Sequence, residues 1–228
     1  MTVEALRSEL RAAIEPGRAE VVAPYLGIRP GGYGEGDVYL GVRVPDARRL
    51  ARNHRDLPFE EVAELLRSPV HEERLVALVL LVRRYPREPE RVYDLYLSST
   101  AYVNNWDLVD GSAPQIVGTH LLERRRDVLY RLVESDSVWE RRIAVLATFT
   151  FIRAGDYDDT LALCEVLLGD RHDLIHKATG WMLREVGKRD RSTMVAFVER
   201  HRSEMPRTML RYAIEKLEPA ERRRLMAR

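Results

Sequence analysis

The sequence predicts an all-α protein built from stacked pairs of helices, and three observations support this fold class. Apolar residues recur at helical spacing along almost the whole chain after Pro45, in short segments separated by a few residues. A ten-residue pattern that begins at Ser68 recurs at Asp136 and, more loosely, at Asp170. Aromatic residues make up only 7% of the chain and long β-branched runs are few, which disfavours an all-β fold.

Length and composition indicate a globular protein that can bury a substantial core, with 228 residues, 45% hydrophobic and 32% charged. The single cysteine, Cys164, lies in an apolar run, which excludes a disulfide scaffold and fits a reducing compartment. Residues 1–7 contain no apolar segment, and no apolar run approaches the roughly 20 residues of a membrane span. We therefore expect no signal peptide, no membrane association and a cytoplasmic location.

Charge is balanced, with 37 basic and 36 acidic residues and a net charge of +1. This balance argues against a protein whose whole surface binds polyanions. It leaves open a basic groove that is offset by an acidic back.

The N-terminal part predicts two short helices, over residues 2–15 and 18–26, with Glu15-Pro16-Gly17 as the interruption. Residues 27–41 then hold six of the 13 glycines, between strand-like flanks. This pattern predicts a loop or a β-hairpin, a flexible insertion over residues 27–44. The glycine spacing lacks the G-x-G-x-x-G pattern of a nucleotide site.

Short amphipathic helices follow from Pro45 onward. Asp46 is expected to be the N-cap of a helix over residues 47–54. The other predicted helices cover residues 58–66, 68–85, 89–98, 101–110, 113–122, 126–134, 137–153, 157–168, 171–186, 191–202 and 206–217.

The recurring ten-residue pattern fits repeats of about 30–40 residues, each a helix pair, as in a HEAT-like solenoid. In such a fold the inner helices line a concave groove. Trp106 and Arg142 are 36 residues apart, and Arg142 and Trp181 are 39 apart, each close to one repeat. An arginine between two large aromatic residues along one groove suits an anionic ribbon. The alternative is that both tryptophans belong to the core.

The segment 102–112 contains the most distinctive local pattern, Trp106 and Asp110 at a spacing of four residues with Tyr102 one turn earlier. On a helix this spacing places the indole and the carboxylate on one face. Such a pair can form a polar seam between helices, or it can stabilise a cation. Asp107, about 100° away, is expected to meet solvent or to cap a neighbouring helix.

Three blocks of sequence, Asn105–Asp110, Trp139–Arg142 and His176–Glu185, resemble the DNA alkylation repair family of AlkD-like DNA glycosylases. The resemblance runs from about Gly41 to Leu217. It implies a single C-shaped HEAT-like domain over residues 1–228 whose concave face holds duplex DNA, and excision of N3- or N7-alkylated purines by hydrolysis of the N-glycosidic bond.

Residue by residue, the resemblance implies that Asp110 is the catalytic carboxylate and that Trp106 and Trp181 pack against the lesion-bearing backbone. Arg142 matches the phosphate-contacting arginine, with Arg141 as the nearby alternative. The further DNA-binding candidates are Lys177, Tyr102 and Arg184. The family also implies a nucleoid-associated monomer that uses no cofactor and no metal.

Two alternatives to an active glycosylase remain open. The glycine-rich segment resembles an insertion in a branch of the family that is associated with branched or distorted DNA, which favours a non-catalytic or weakly active binder. A HEAT-like scaffold for protein interactions is the other. His172 and His176 have the spacing of a zinc-binding helix, but no third ligand is evident.

Overall fold

The computed structural model describes residues 2–227 and confirms the predicted all-α class. The described residues contain no β-sheet, only two isolated bridges, Ile14 with Val42 and Val38 with Val70. The chain folds into two compact units, Met1–Ser112 and Ala113–Arg228. None of the helices between residues 2 and 227 combines the length and the apolar character needed to cross a bilayer.

The first unit is organised around a central helix, α5. Val76, Leu80 and Leu81 of α5 are fully buried, and α3 and α4 pack against this helix most extensively. Its helices are α1 (Val3–Ala12), α2 (Arg18–Val22), α3 (Val44–Asn53), α4 (Phe59–Leu66), α5 (His71–Arg84), α6 (Pro89–Leu97) and α7 (Trp106–Asp110). Short 3₁₀ segments cover Ala23–Leu26 and Thr100–Tyr102.

The second unit is a series of stacked helices in which α12 contacts both α10 and α14, while α9 and α11 pack on α10 and α13 packs on α12. Contacts of this order are typical of repeated helix pairs. After a π-helical turn over Pro114–Gly118, its helices are α8 (Thr119–Leu121), α9 (Asp127–Val133), α10 (Val138–Ala154), α11 (Asp158–Val166), α12 (Asp173–Gly187), α13 (Arg191–His201), α14 (Arg207–Ala213) and α15 (Pro219–Met226).

A specific turn begins α5. The Ser68 hydroxyl accepts a hydrogen bond from the Val70 amide at 3.0 Å, and the Ser68 carbonyl accepts one from Arg74 Nη1 at 2.7 Å. In this turn Ser68 therefore accepts through its side chain from the amide two residues later and through its carbonyl from a basic side chain six residues later. The helix α5 begins at His71.

The same turn begins α10. The Ser135 hydroxyl accepts from the Ser137 amide at 3.1 Å, and its carbonyl accepts from Arg141 Nη1 at 2.7 Å. These contacts align Ser68 with Ser135. The sequence comparison aligned Ser68 with Asp136, so the predicted register of the second copy is wrong by one residue.

A third copy begins α12, in the register that the sequence predicted. Asp170 Oδ1 accepts from the His172 amide at 2.7 Å, and the Asp170 carbonyl oxygen lies 2.6 Å from His176 Nε2. The internal repeat is therefore a repeated helix start.

The structure differs from the predicted helices in three notable places. The helix predicted over residues 101–110 is interrupted, because Asn105 adopts an extended conformation with φ −150°. Asp46 lies in the first turn of α3 and the N-cap is Arg43, because Pro45 is well suited to the first helical positions and starts the helix earlier. The helix α15 was not predicted, since its sequence is mostly charged and only Leu225 in it is buried.

The glycine-rich segment forms a series of turns over residues 27–36 and then runs without turns to residue 43, with isolated bridges at Val38 and Val42. The loop alternative is therefore correct, and paired strands are absent from this described segment. Gly41 has φ +93°, a left-handed conformation that favours glycine. At Gly32 a β-carbon would lie 2.1 Å from the Gly27 carbonyl oxygen, so the chain can pass there only without a side chain.

Candidate functional site

Trp106 is the first residue of α7, and its position is fixed by the 3₁₀ segment Ala23–Leu26. The indole Nε1 donates to the Tyr25 carbonyl at 3.3 Å, and Asn105 Nδ2 donates to the Leu26 carbonyl at 2.8 Å. The indole is half-buried, and the side chain of Tyr25 is 74% exposed. This region therefore presents an anchored indole beside an exposed tyrosine, a residue that the sequence analysis did not single out.

Tyr102 does not lie one helical turn before Trp106. It ends the 3₁₀ segment Thr100–Tyr102, and the extended backbone at Asn105 separates it from α7. Its side chain is exposed. The predicted alignment of Tyr102 with Trp106 on one helix face is wrong, because the two asparagines 104 and 105 break the helix.

Asp110 is the last residue of α7, four residues after Trp106, and it is half-buried. The end of the helix is held by the fully buried Tyr96, whose hydroxyl lies 3.0 Å from Ser112 Oγ. Burial raises the pKa of the Tyr96 hydroxyl, and the negative charge of Asp110 adds to the increase. The carboxylate therefore ends a short helix whose two termini are both fixed by hydrogen bonds.

Asp107, on a neighbouring face of α7, belongs to a largely buried ionic network. Asp107 Oδ2 lies 2.9 Å from Nε2 of His71, which is only 1% exposed, and Asp37 Oδ2 lies 3.7 Å from His71 Nδ1. Arg74 completes the network by an ion pair with Asp37. No local sequence pattern could have indicated this network, because its members come from segments more than 30 residues apart.

The network is charged at neutral pH. Burial by itself would lower the pKa of His71, but the hydrogen bond to Asp107 and the nearby carboxylate of Asp37 outweigh burial and raise it to about 9. Burial likewise opposes the ionisation of Asp37, yet contacts with His71 and Arg74 hold its pKa below the usual value. An imidazolium therefore links the glycine-rich loop to α7.

A second attachment fixes the end of that loop. The fully buried Glu72 accepts hydrogen bonds from three consecutive backbone amides, Leu40 at 3.0 Å, Gly41 at 2.8 Å and Val42 at 3.0 Å. The expected flexible insertion is thus tied to the first turn of α5 by Glu72 and to α5 and α7 through Asp37.

In the second unit, Trp181 lies on α12 and is half-buried. Its Nε1 donates to Glu185 Oε1 at 3.2 Å, and its ring centroid is 6.0 Å from that of Phe149. Burial opposes the ionisation of Glu185, but Lys188 and the Trp181 indole lower its pKa. Trp181 is therefore an anchored, partly accessible indole rather than an enclosed core residue.

The other candidates on α12 flank Trp181. Lys177, one turn earlier, pairs with Asp173 at 2.7 Å and keeps 41% of its side chain exposed. Arg184 pairs with Glu215. The structure thus brings Lys177, Trp181 and Arg184 together on one helix, as it brings Trp106 and Asp110 together on α7.

The two arginines predicted to contact phosphate are engaged inside the second unit. Arg142 is 5% exposed and donates to the Leu174 carbonyl at 2.5 Å. Arg141 pairs with Asp170 at 2.7 Å in addition to its contact with the Ser135 carbonyl. Their roles in phosphate binding stay predictions.

His172 and His176 are used at the start of α12. His172 Nδ1 accepts from the Leu174 amide at 3.2 Å, and burial lowers the pKa of this imidazole. Among residues 2–227, no group of three or more His, Cys, Asp or Glu side chains has the arrangement of a metal site. Burial raises the pKa of the Cys164 thiol far above its usual value, which fits the expected role of inert core residue.

Comparisons with known proteins show the family to which the chain belongs. The family model described as "DNA alkylation repair enzyme" matches residues 6–217. A solved structure described as "Predicted DNA alkylation repair enzyme from Enterococcus faecalis" has a similar fold, with a TM-score of 0.69 and 16% identity over 90% of this chain and 97% of that chain. The comparison with curated proteins gave no match. The match to most of its length shows that the chain belongs to the DNA alkylation repair enzyme family.

Proposed function

We propose that the protein is a DNA glycosylase that hydrolyses the N-glycosidic bond of cationic N3- or N7-alkylated purines in duplex DNA. The observation that carries the proposal is the anchored pair on α7, a half-buried indole at its first residue, Trp106, and a half-buried carboxylate at its last, Asp110. Family membership supports a role in DNA alkylation repair.

Excision of a cationic purine needs a carboxylate near the sugar but no strong acid to protonate the leaving base. Alkylation at N3 or N7 makes the purine cationic, so it is already a good leaving group. The barrier lies in the deoxyribose, which acquires oxocarbenium character as the bond breaks. A fixed carboxylate stabilises this charge and orients the attacking water. An aromatic face adds on the order of 1 kcal/mol of cation–π stabilisation.

Preorganisation strengthens both contributions. The Trp106 indole is fixed through Tyr25, and α7 is held by the Tyr96–Ser112 pair and by the His71–Asp107 pair. A carboxylate that is already in place needs no reorganisation as the sugar becomes cationic. In this proposal Asp110 is the catalytic residue and Trp106 contacts the sugar and backbone of the lesion.

The second unit supplies DNA contacts in this proposal. Trp181 packs against the lesion-bearing strand, and Lys177 and Arg184 contact phosphates. Arg142 and Arg141 remain candidates for phosphate contacts. Because both are engaged in internal hydrogen bonds, the more exposed Lys177 is the stronger candidate. Tyr102 contacts DNA from its exposed position before α7.

The test is release of 3-methyladenine and 7-methylguanine from methylated duplex DNA, with Asp110→Asn compared with the parent. Loss of the carboxylate should slow excision on the order of 100-fold, as loss of one preorganised electrostatic group does elsewhere. Asp94→Asn is the matched control, since Asp94 is an exposed acid in the same unit. A parent that releases neither base, or equal rates for all three proteins, contradicts the proposal.

A second candidate function is binding of branched or distorted DNA without excision. The observation that favours it is the attachment of the glycine-rich loop close to Trp106, where Asp37 Oδ1 accepts from Asn104 Nδ2 at 3.3 Å. The loop residue Arg29 is exposed. Arg29→Glu should then weaken binding to a four-way junction more than binding to a linear duplex in a gel-shift assay. Equal weakening for the two DNAs contradicts this function.

A further inference from the structure

The second unit contains a cleft between α12, α14 and α15 with a volume of about 410 Å³. Its wall carries the basic residues Lys177, Arg211 and Arg222 and one acidic residue, Glu215, together with Tyr212. A space of this size falls within the roughly 300–1,000 Å³ of small-ligand sites and exceeds the volume of one phosphate group.

The charge in this cleft is not neutralised by its own wall. Arg211 and Arg222 are exposed, and neither makes an ion pair with any carboxylate of the described residues. The one acidic wall residue, Glu215, is already paired with Arg184 and with Lys216 at 2.9 Å. Two guanidinium groups are therefore available to an anion, and guanidinium groups bind phosphate oxygens in pairs of hydrogen bonds.

The cleft borders the predicted DNA-contacting face of α12. Lys177 lies four residues before Trp181, so the two side chains share a face. Gly180 allows α14 to approach closely, since a β-carbon there would lie 2.5 Å from Tyr212 Cβ. The wall residue Tyr212 is therefore next to the turn of α12 that carries Trp181.

We infer that this cleft binds a backbone phosphate of the DNA strand that contacts Trp181. One helical turn from Trp181 to Lys177 spans about 5.4 Å, which compares with a rise of about 3.4 Å per nucleotide of one strand. A strand at Trp181 thus places a phosphate one or two nucleotides away at the cleft. This inference rests on the proposed DNA substrate and adds two residues, Arg211 and Arg222, to its binding surface.

The helix α15 contributes Arg222 to the wall of the cleft. It begins at Pro219, beyond residue 217, where the match to the family model ends. Arg222 is therefore a contact that the matched family pattern does not contain.

The salt dependence of DNA affinity tests this inference. The double variant Arg211→Ala/Arg222→Ala should make the slope of log K against log[salt] less steep by about 0.9 for a labelled duplex between 50 and 200 mM salt, because together the two changes remove the contact with one phosphate. Arg223→Ala is the matched control. Arg223 lies on the same exposed helix and is not part of the cleft wall. Its slope should equal that of the parent.

Equal slopes for the double variant and for Arg223→Ala overturn the inference, whether both differ from the parent or neither does. The alternative is that the cleft binds a free anion. It is tested by measuring whether pyrophosphate raises the melting temperature of the protein. Stabilisation that needs Arg211 and Arg222, without any change in the DNA slope of the double variant, also overturns the inference. DNA binding is measured independently of base excision. If the parent releases no base but the double variant still shows the weaker salt dependence, the inference stands and the glycosylase proposal is rejected.

Discussion

The helices α5 and α12 begin with the same kind of turn, but the turn has a different role in each. In α5 the basic donor of the turn, Arg74, is buried and also pairs with Asp37, so the turn fixes the glycine-rich loop. In α12 the corresponding donor is His176, and the next residue, Lys177, has a side chain that is 41% exposed. One repeated device thus supports an internal ionic network in the first unit and presents a cation in the second.

The two helix starts distinguish basic residues that are used inside the fold from a basic residue that stays at the surface. A basic residue six positions after the turn's first residue is engaged by a backbone carbonyl in each copy, as Arg74, Arg141 and His176 show. The following position holds Leu75, Arg142 and Lys177. Only Lys177 of these three is not buried.

The largest expected effect is on the first unit. Arg74→Ala removes the ion-pair partner of Asp37 and the donor to the Ser68 carbonyl at a site where Arg74 is buried, which should lower the free energy of unfolding by about 3–5 kcal/mol. Arg141→Ala should cost less, because the Arg141 side chain is partly exposed and water can replace it. Urea denaturation measures both, and a larger loss for Arg141→Ala contradicts the distinction drawn between the two turns.

A smaller effect should follow pH through His71. Its folded pKa of about 9 lies above the usual value near 6.5, so the protonated ring adds stability that is complete below about pH 6.5 and is lost as pH rises through 9. The difference between these two pKa values corresponds to roughly 3 kcal/mol. Urea denaturation at pH 6 and pH 9.5 should show this loss in the parent and not in His71→Gln.

His172→Gln is the control for that experiment. Burial lowers the pKa of His172, so protonation of its ring opposes folding and the sign of its contribution is reversed. A parent and a His71→Gln variant with the same pH dependence show that the imidazolium does not stabilise the link between the loop and α7.

Glu72→Gln should lower the free energy of unfolding by less than the loss of the Arg74 ion pair does. The amide keeps one acceptor oxygen and places an NH₂ group against a backbone amide, so at least one of three buried N–H donors loses its partner, at a cost of about 1–3 kcal/mol. Hydrogen exchange of the Leu40, Gly41 and Val42 amides should quicken. Glu64→Gln, at an exposed acid on α4, is the control, and unchanged exchange in Glu72→Gln contradicts the assigned role.

The smallest effect is expected at the surface. Lys177→Ala should lower the salt slope of DNA binding by about 0.9, whereas Arg142→Ala should leave the slope unchanged and lower stability instead. Fluorescence anisotropy at several salt concentrations measures the slope. The reverse outcome, with Arg142 changing the slope and Lys177 not, restores Arg142 as the phosphate contact.

Sequence reasoning predicted the all-α class and most helices because periodic apolar residues and flanking prolines act locally. It placed Trp106 and Asp110 on one helix for the same reason. It did not predict that Arg142 would be buried, since the acceptor, the Leu174 carbonyl, lies 32 residues away. The network of Asp37, His71, Arg74 and Asp107 was also beyond it, because no short pattern specifies pairing between distant segments.

Glu72 also has a consequence for the order of folding. The segment from residue 27 to residue 43 has no strand ladder, and three amides near its end reach a carboxylate that belongs to the first turn of α5. The acceptor exists in the right place only once that turn has formed. We therefore expect the segment to become ordered late, after the central helix, with local stability below that of the core.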